Sequence, residues 1–89
     1  MDITVTLTDT EYKSLQYCAY SPEDWADNAL KNRARKAKDE IIAKLVKHCN
    51  TNEIQLATGE EAQVTQAFDL GVVQTAADVQ AAIEAEANP

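Results

Sequence analysis

Eighty-nine residues at 9.8 kDa make one small domain, and a chain this short is expected to bury only about 60–65% of the surface that its unfolded form exposes. Apolar residues are 45% of the chain but 15 of them are alanine, so the core must be thin. Leu, Ile, Val and Phe still number 18, in periodic patterns broken by only two Gly and two Pro, which excludes wholesale disorder. Two cysteines, no long apolar run and no charged-then-apolar leader argue against a disulfide scaffold, a membrane span and a secretory signal. A soluble chain, made inside a cell, is expected. The net charge of −7 is unevenly spread: residues 1–50 hold all eight bases and eight acids, while residues 51–89 hold seven acids and no base.

Met1 to Leu7 alternates, with Ile3, Val5 and Leu7 pointing one way and Asp2, Thr4, Thr6 and Thr8 the other. That period of two predicts a half-buried β-strand. Thr8-Asp9-Thr10-Glu11 has capping-box form and starts a short helix with Tyr12, Leu15, Cys18 and Ala19 on its apolar stripe. The helix must end before Pro22, which pushes its predecessor out of the helical region.

Ser21-Pro22-Glu23-Asp24 supplies an N-cap, a proline at the first helical position and two acids on the positive end of the dipole. A second helix begins there. Trp25, Ala26, Ala29, Leu30, Ala34, Ala37, Ile41, Leu45 and Cys49 recur at three-and-four spacing, so it runs to about Cys49, longer than so small a domain needs. Asp27 with Lys31, Arg35 with Asp39, Lys36 with Glu40 and Glu40 with Lys44 stand four apart and can pair along it. Asn50-Thr51-Asn52 is expected to break the helix, leaving Glu53 to Ala57 as an extended connector. Thr58-Gly59-Glu60-Glu61 opens a third helix with Val64, Ala67 and Phe68, stopped by Gly71 in a left-handed conformation. Thr75-Ala76-Ala77-Asp78 opens a fourth with Val79, Ala82 and Ile83, and Glu84 to Pro89 is expected to fray. The fold class is mainly α with a short N-terminal strand, a short helix, one long helix and two short C-terminal helices. One domain spans residues 1–89, with a strand and helical hairpin over 1–49 and an acidic helical tail over 50–89.

Catalytic chemistry finds little to work with. The single histidine, His48, adjoins Cys49, and on a helix neighbouring side chains point about 100° apart. A His near a helix end beside a core thiol is the simpler account. Cys18 lies far from Cys49, no C-x-x-C or calcium-loop pattern occurs, and two glycines cannot build a phosphate loop. No enzyme, metal or cofactor is implied. Trp25 reads either as a core aromatic packed on the preceding helix or as an interface anchor with Tyr12, Tyr17 and Tyr20 around it. Lys31, Arg33, Arg35, Lys36 and Lys38 form a basic run that reads either as a solvated helix face laced by ion pairs or as a patch for phosphate or an acidic protein surface.

The order strand, short helix, capped turn and longer helix over residues 1 to about 45 resembles the ribbon-helix-helix DNA-binding proteins. That resemblance implies a dimer with Ile3, Val5 and Leu7 inward and Thr4, Thr6 and Thr8 toward bases. The outward strand face, however, carries Asp2 and no Lys, Arg, Asn or Gln, the residues that usually read base edges and phosphates.

Glu11-Tyr12-Lys13, Trp25-x-x-Asn28-Ala29 with Arg33-Ala34-Arg35, Asp39-Glu40-Ile41 and Ala67-Phe68-x-x-Gly71-Val72-Val73-x-Thr75-Ala76-Ala77 are similar to a group of small proteins encoded by tailed bacteriophages, cyanobacterial ones included. This second resemblance, over most of residues 3–80, implies a non-enzymatic virion subunit, structural or accessory, assembled in the host cytoplasm. Its partner would be itself or a larger virion protein, met through the N-terminal strand and the long helix. Under the ribbon-helix-helix alternative the protein is a dimeric regulator or antitoxin, with nucleic acid as partner. No membrane partner is implied.

Overall fold

The computed structural model describes residues 1–87. It contains four helices: α1 Asp9–Cys18, α2 Pro22–Asn52, α3 Glu60–Asp69 and α4 Ala76–Ala87. The chain divides into two compact units, Met1–Arg35 and Lys36 onward, and the division falls within α2.

In the first unit the expected N-terminal strand is absent; residues 1–8 carry no regular structure, and no strand occurs among the described residues. The alternation is real, but a strand exists only as one side of a hydrogen-bonded ladder. No strand among the described residues supplies the other side, and Ile3 and Val5 are 70% and 73% exposed. The predicted capping box is present. The Glu11 amide donates to the Thr8 hydroxyl at 3.1 Å and the Thr8 amide donates to the Glu11 carboxylate at 2.9 Å. α1 ends at an extended Ala19 whose amide closes on the Leu15 carbonyl at 2.8 Å. Tyr12 and Leu15 are half-buried, whereas Cys18, expected on the apolar stripe, is exposed. Ser21 caps α2 as predicted, its hydroxyl accepting from the Asp24 amide at 3.4 Å, and Pro22 at the first helical position is buried.

α2 has 31 residues and, at 1.5 Å per residue, spans roughly 46 Å. It runs through the expected break at Asn50-Thr51-Asn52. Polar side chains at a helix end need not break it when they bond backward to carbonyls one turn earlier. Thr51 does so to Lys47 at 2.8 Å, and the Asn52 amide does so to His48 at 2.9 Å.

The second unit holds the core, in which Leu45, Cys49 and Ala67 are buried and Ile41, Ile54, Leu56, Val72 and Val73 pack against them. Two helix ends build it in the same way. At the end of α2, Glu53 takes a left-handed conformation (φ 55°) and the Ile54 amide reaches back to the Cys49 carbonyl at 2.9 Å. At the end of α3, Gly71 is left-handed (φ 71°), as its placement predicts, and the Val72 amide reaches back to the Ala67 carbonyl at 2.9 Å. Both are Schellman closures, which bring the residue after the turn onto the helix's last apolar position. Here those contacts are Ile54 near Cys49 and Val72 near Ala67, the core itself.

Between them, residues 54–57 have no regular structure and are held by glutamines of α3. The Gln66 side chain accepts from the Ala57 amide and donates to the Gln55 carbonyl, both at 2.8 Å, while Gln63 donates to the Ala57 carbonyl at 2.9 Å. Thr58 does not cap α3 as expected. Gly59, at φ 92°, occupies the N-cap position without a side-chain bond, so the Thr-x-x-Glu frame stands one residue too early. α4 starts where predicted, with the Thr75 hydroxyl accepting from the Asp78 amide at 3.1 Å. The expected fraying from Glu84 is not seen as far as Ala87; Asn88 and Pro89 lie outside the described residues. No residue of α4 is buried.

A left-handed turn costs an L side chain about 1 kcal/mol that glycine does not spend. Glu53→Gly is therefore expected to raise stability by about 1 kcal/mol and Gly71→Ala to lower it by a similar amount. Thermal or urea melting of the two variants checks the pair, and equal signs would contradict the closure account.

Candidate protein interaction site

The same apolar stripe that buries Leu45 and Cys49 and half-buries Ile41 in the second unit continues into the first turns of α2, where its members are exposed. Trp25 and Leu30 are 57% and 56% exposed. The core reading of Trp25 is thereby corrected: this residue lines an open groove. The groove is formed within the first unit by Ile3, Val5 and Leu7 of the N-terminal segment, Tyr12 and Leu15 of α1, and Pro22, Trp25, Ala26, Ala29 and Leu30 of α2. Its volume is about 940 Å³. Asp9, Lys13, Gln16 and Glu23 provide polar edges. Of the interface residues read from the sequence, the groove gathers Ile3, Val5, Leu7, Tyr12 and Trp25; Tyr17 and Tyr20 are exposed and do not line it.

One side-chain contact ties α1 to α2 at the groove. The Tyr12 hydroxyl donates to the Glu23 carboxylate at 2.6 Å, and Ser21 donates to the other Glu23 oxygen at 3.4 Å. Donation from Tyr12 holds the Glu23 carboxyl below its usual 4.5. Acceptance by the same carboxylate raises the Tyr12 phenol above its usual 10.0. The capping bonds of Thr8 likewise lower Glu11.

The basic run divides. Lys31 pairs with Asp27 at 3.1 Å, the expected spacing of four, and Lys38 pairs with Glu60 of α3 at 2.8 Å. Both pairs are largely solvated and worth little in stability. The other three pairs anticipated along α2 are not formed among the described residues. Arg33, Arg35 and Lys36 are exposed. As for nucleophiles, Cys49 is in the core, His48 sits against the Asn52 amide at 3.4 Å, and Cys18 belongs to the other unit. No group of three or more His, Cys, Asp or Glu side chains converges among the described residues, and no helix among them is long and apolar enough to cross a membrane.

Sequence reasoning placed Leu30, Ala26 and Ala29 on the apolar stripe without separating the buried half from the open half. The signal available was composition: the stripe carries Ile, Leu and Cys after residue 40, but mostly alanine before it. Alanine on α2 gives α1 little to pack against.

The Tyr12–Glu23 link defines a pH window. The carboxylate of Glu23 has a lowered value in the folded chain, so its contribution is complete above 4.5 and fades as pH falls through that lower value. The phenol of Tyr12 has a raised value, so its contribution is complete below 10.0 and fades as pH rises through the higher one. Ultraviolet titration is expected to lose its phenol ionising above 10 in Tyr12→Phe and to return that phenol to the ordinary range in Glu23→Gln. Unchanged late ionisation in Glu23→Gln would contradict the link.

Comparison of the chain with protein-family models, with curated proteins and with solved structures finds no match.

Proposed function

We propose that this chain is a non-enzymatic interaction protein, a virion structural or accessory subunit of a tailed bacteriophage, docking through its N-terminal segment and the first turns of α2. One observation carries the reading. The core residues Leu45, Cys49 and Ala67 all belong to the second unit, whereas the first unit leaves Ile3, Val5, Leu7, Trp25 and Leu30 exposed.

Exposed apolar surface gathered on one face marks a binding site. Covering Ile3, Val5, Leu7, Trp25 and Leu30 yields on the order of 5 kcal/mol before association costs, at about 1.5–3 kcal/mol per fully buried side chain. An exposed ion pair yields a few tenths. Apolar docking therefore outweighs the basic run as the source of affinity. The bacteriophage context is supported by the residue runs of Glu11-Tyr12-Lys13, Asn28-Ala29, Arg33-Ala34-Arg35 and Ala67-Phe68 described above. The partner in that setting is another copy or a larger virion protein. A DNA-reading role gains nothing from the outward Thr4, Thr6 and Thr8, which belong to a segment without strand structure.

Sedimentation of the wild type and of the triple variant Ile3→Ser, Val5→Ser, Leu7→Ser tests the reading. The variant is expected to keep its helix content and melting temperature, because none of the three residues is in the core, and to lose association with copies or with virion proteins. Retained association would overturn the assignment of the groove. Trp25→Ala is expected to weaken binding by tenfold or more with a stability loss well below the 3–5 kcal/mol of a core aromatic. Sequence-selective DNA binding that weakens steeply with salt would instead favour nucleic acid as partner.

A further inference from the structure

The N-terminal segment and the groove of the first unit match in chemistry and in length. Ile3, Val5 and Leu7 line the groove, whereas Asp2, Thr4 and Thr6 do not, so the alternation of the segment puts its apolar edge on the groove that holds Trp25 and Leu30. Extended at 3.3 Å per residue, Ile3 to Leu7 reaches about 13 Å. The α2 stretch from Pro22 to Leu30, at 1.5 Å per residue, is about 12 Å long. Yet the segment does not fill the groove of its own chain. Ile3, Val5, Trp25 and Leu30 are 70%, 73%, 57% and 56% exposed around about 940 Å³ of open groove. The segment has no regular structure up to Thr8, where the bonds with Glu11 fix it to α1.

Resting on the docking reading above, we infer that the groove's occupant is residues 1–7 of a second copy, and that two copies exchange these segments reciprocally. Each segment pivots at Thr8, leaves the edge of its own groove and lays Ile3, Val5 and Leu7 along Trp25 and Leu30 of the other copy, with Asp2, Thr4 and Thr6 toward water. No strand ladder is needed, because α1 and α2 wall the groove and the outer side of the segment stays hydrated. Exchange of an identical element is a low-cost route to a dimer, since each contact made across the pair is one that the single chain already offers itself. Area decides that the exchange is reciprocal. One segment in one groove covers on the order of 500 Å² among these five side chains. Specific interfaces start at about 1,000 Å², which two such contacts reach and one does not.

Sedimentation and disulfide trapping of the full-length chain test the inference. The wild type is expected to be a dimer that dissociates on dilution, with emission from Trp25, the single tryptophan, at shorter wavelength in the dimer. The triple variant Ile3→Ser, Val5→Ser, Leu7→Ser is expected to dimerise on the order of a hundredfold or more weakly. Its helix content by circular dichroism verifies folding. For trapping, Cys18→Ser removes the exposed thiol and leaves Cys49 in the core. In that background, Ile3→Cys chains mixed with Leu30→Cys chains are expected to form a disulfide between chains under mild oxidation. Ile3→Cys chains that link only to one another, with the triple variant monomeric, would overturn the exchange and leave the docking reading standing. So would an Ile3→Cys, Leu30→Cys double variant that closes only within a single chain, or a wild type that stays monomeric at every concentration. A triple variant that dimerises as the wild type does would overturn the exchange and the docking reading together.

Discussion

The structure depends on where two helices stop. α2 and α3 each end in a left-handed residue followed by an amide that folds back one and a half turns, and this places Ile54 beside Cys49 and Val72 beside Ala67. Those contacts, together with Leu45, belong to the one core of the described residues. With few large apolar residues available, the core is made by turning helix ends onto helix faces, and Gln63 and Gln66 satisfy the backbone of the intervening segment in place of a strand partner. The two part-buried bonds, at the Ala57 amide and carbonyl, contribute about 1 kcal/mol each and cost more when one side is left unmet.

The remainder of the chain is arranged by what that core does not reach. Helical periodicity on α2 is continuous, yet burial is not: beyond Ile41 the stripe is covered, and before it alanines leave Trp25 and Leu30 open. α1 is attached by its connection at Ala19 to Ser21, by a groove wall of half-buried Tyr12 and Leu15, and by the Tyr12 to Glu23 bond. Caps define these helices locally, at Thr8, Ser21 and Thr75. Caps, however, set where a helix starts and do not cover its apolar face. That face is the physical basis of the proposed docking function.

Most local signals were legible in the sequence, the Thr58 start of α3 excepted, and relational ones were not. The capping box at Thr8, the N-caps at Ser21 and Thr75 and the left-handed Gly71 depend on residues within a few positions of one another, and each stands where the chain's wording puts it. The strand over residues 1–7 failed because its pattern describes one side of a ladder and says nothing of a partner. The break at Asn50 failed because Thr51 and Asn52 turn their side chains back on the helix, and the stop fell on Glu53, a residue with no particular left-handed preference. Periodicity placed Trp25 and Leu45 on the same stripe and could not distinguish an open groove from a core. Five of the seven interface residues share the groove; Tyr17 and Tyr20 followed them only by proximity in the chain.

Native-state hydrogen exchange on the dilute monomer tests the central claim most directly, because it reads protection residue by residue. The slowest amides are expected around Leu45 to Cys49 and Val64 to Ala67, with α1 and the first turns of α2 exchanging orders of magnitude faster. Amides of α1 as slow as those of Leu45 at high dilution would show that the first unit has an interior of its own, and would contradict the account.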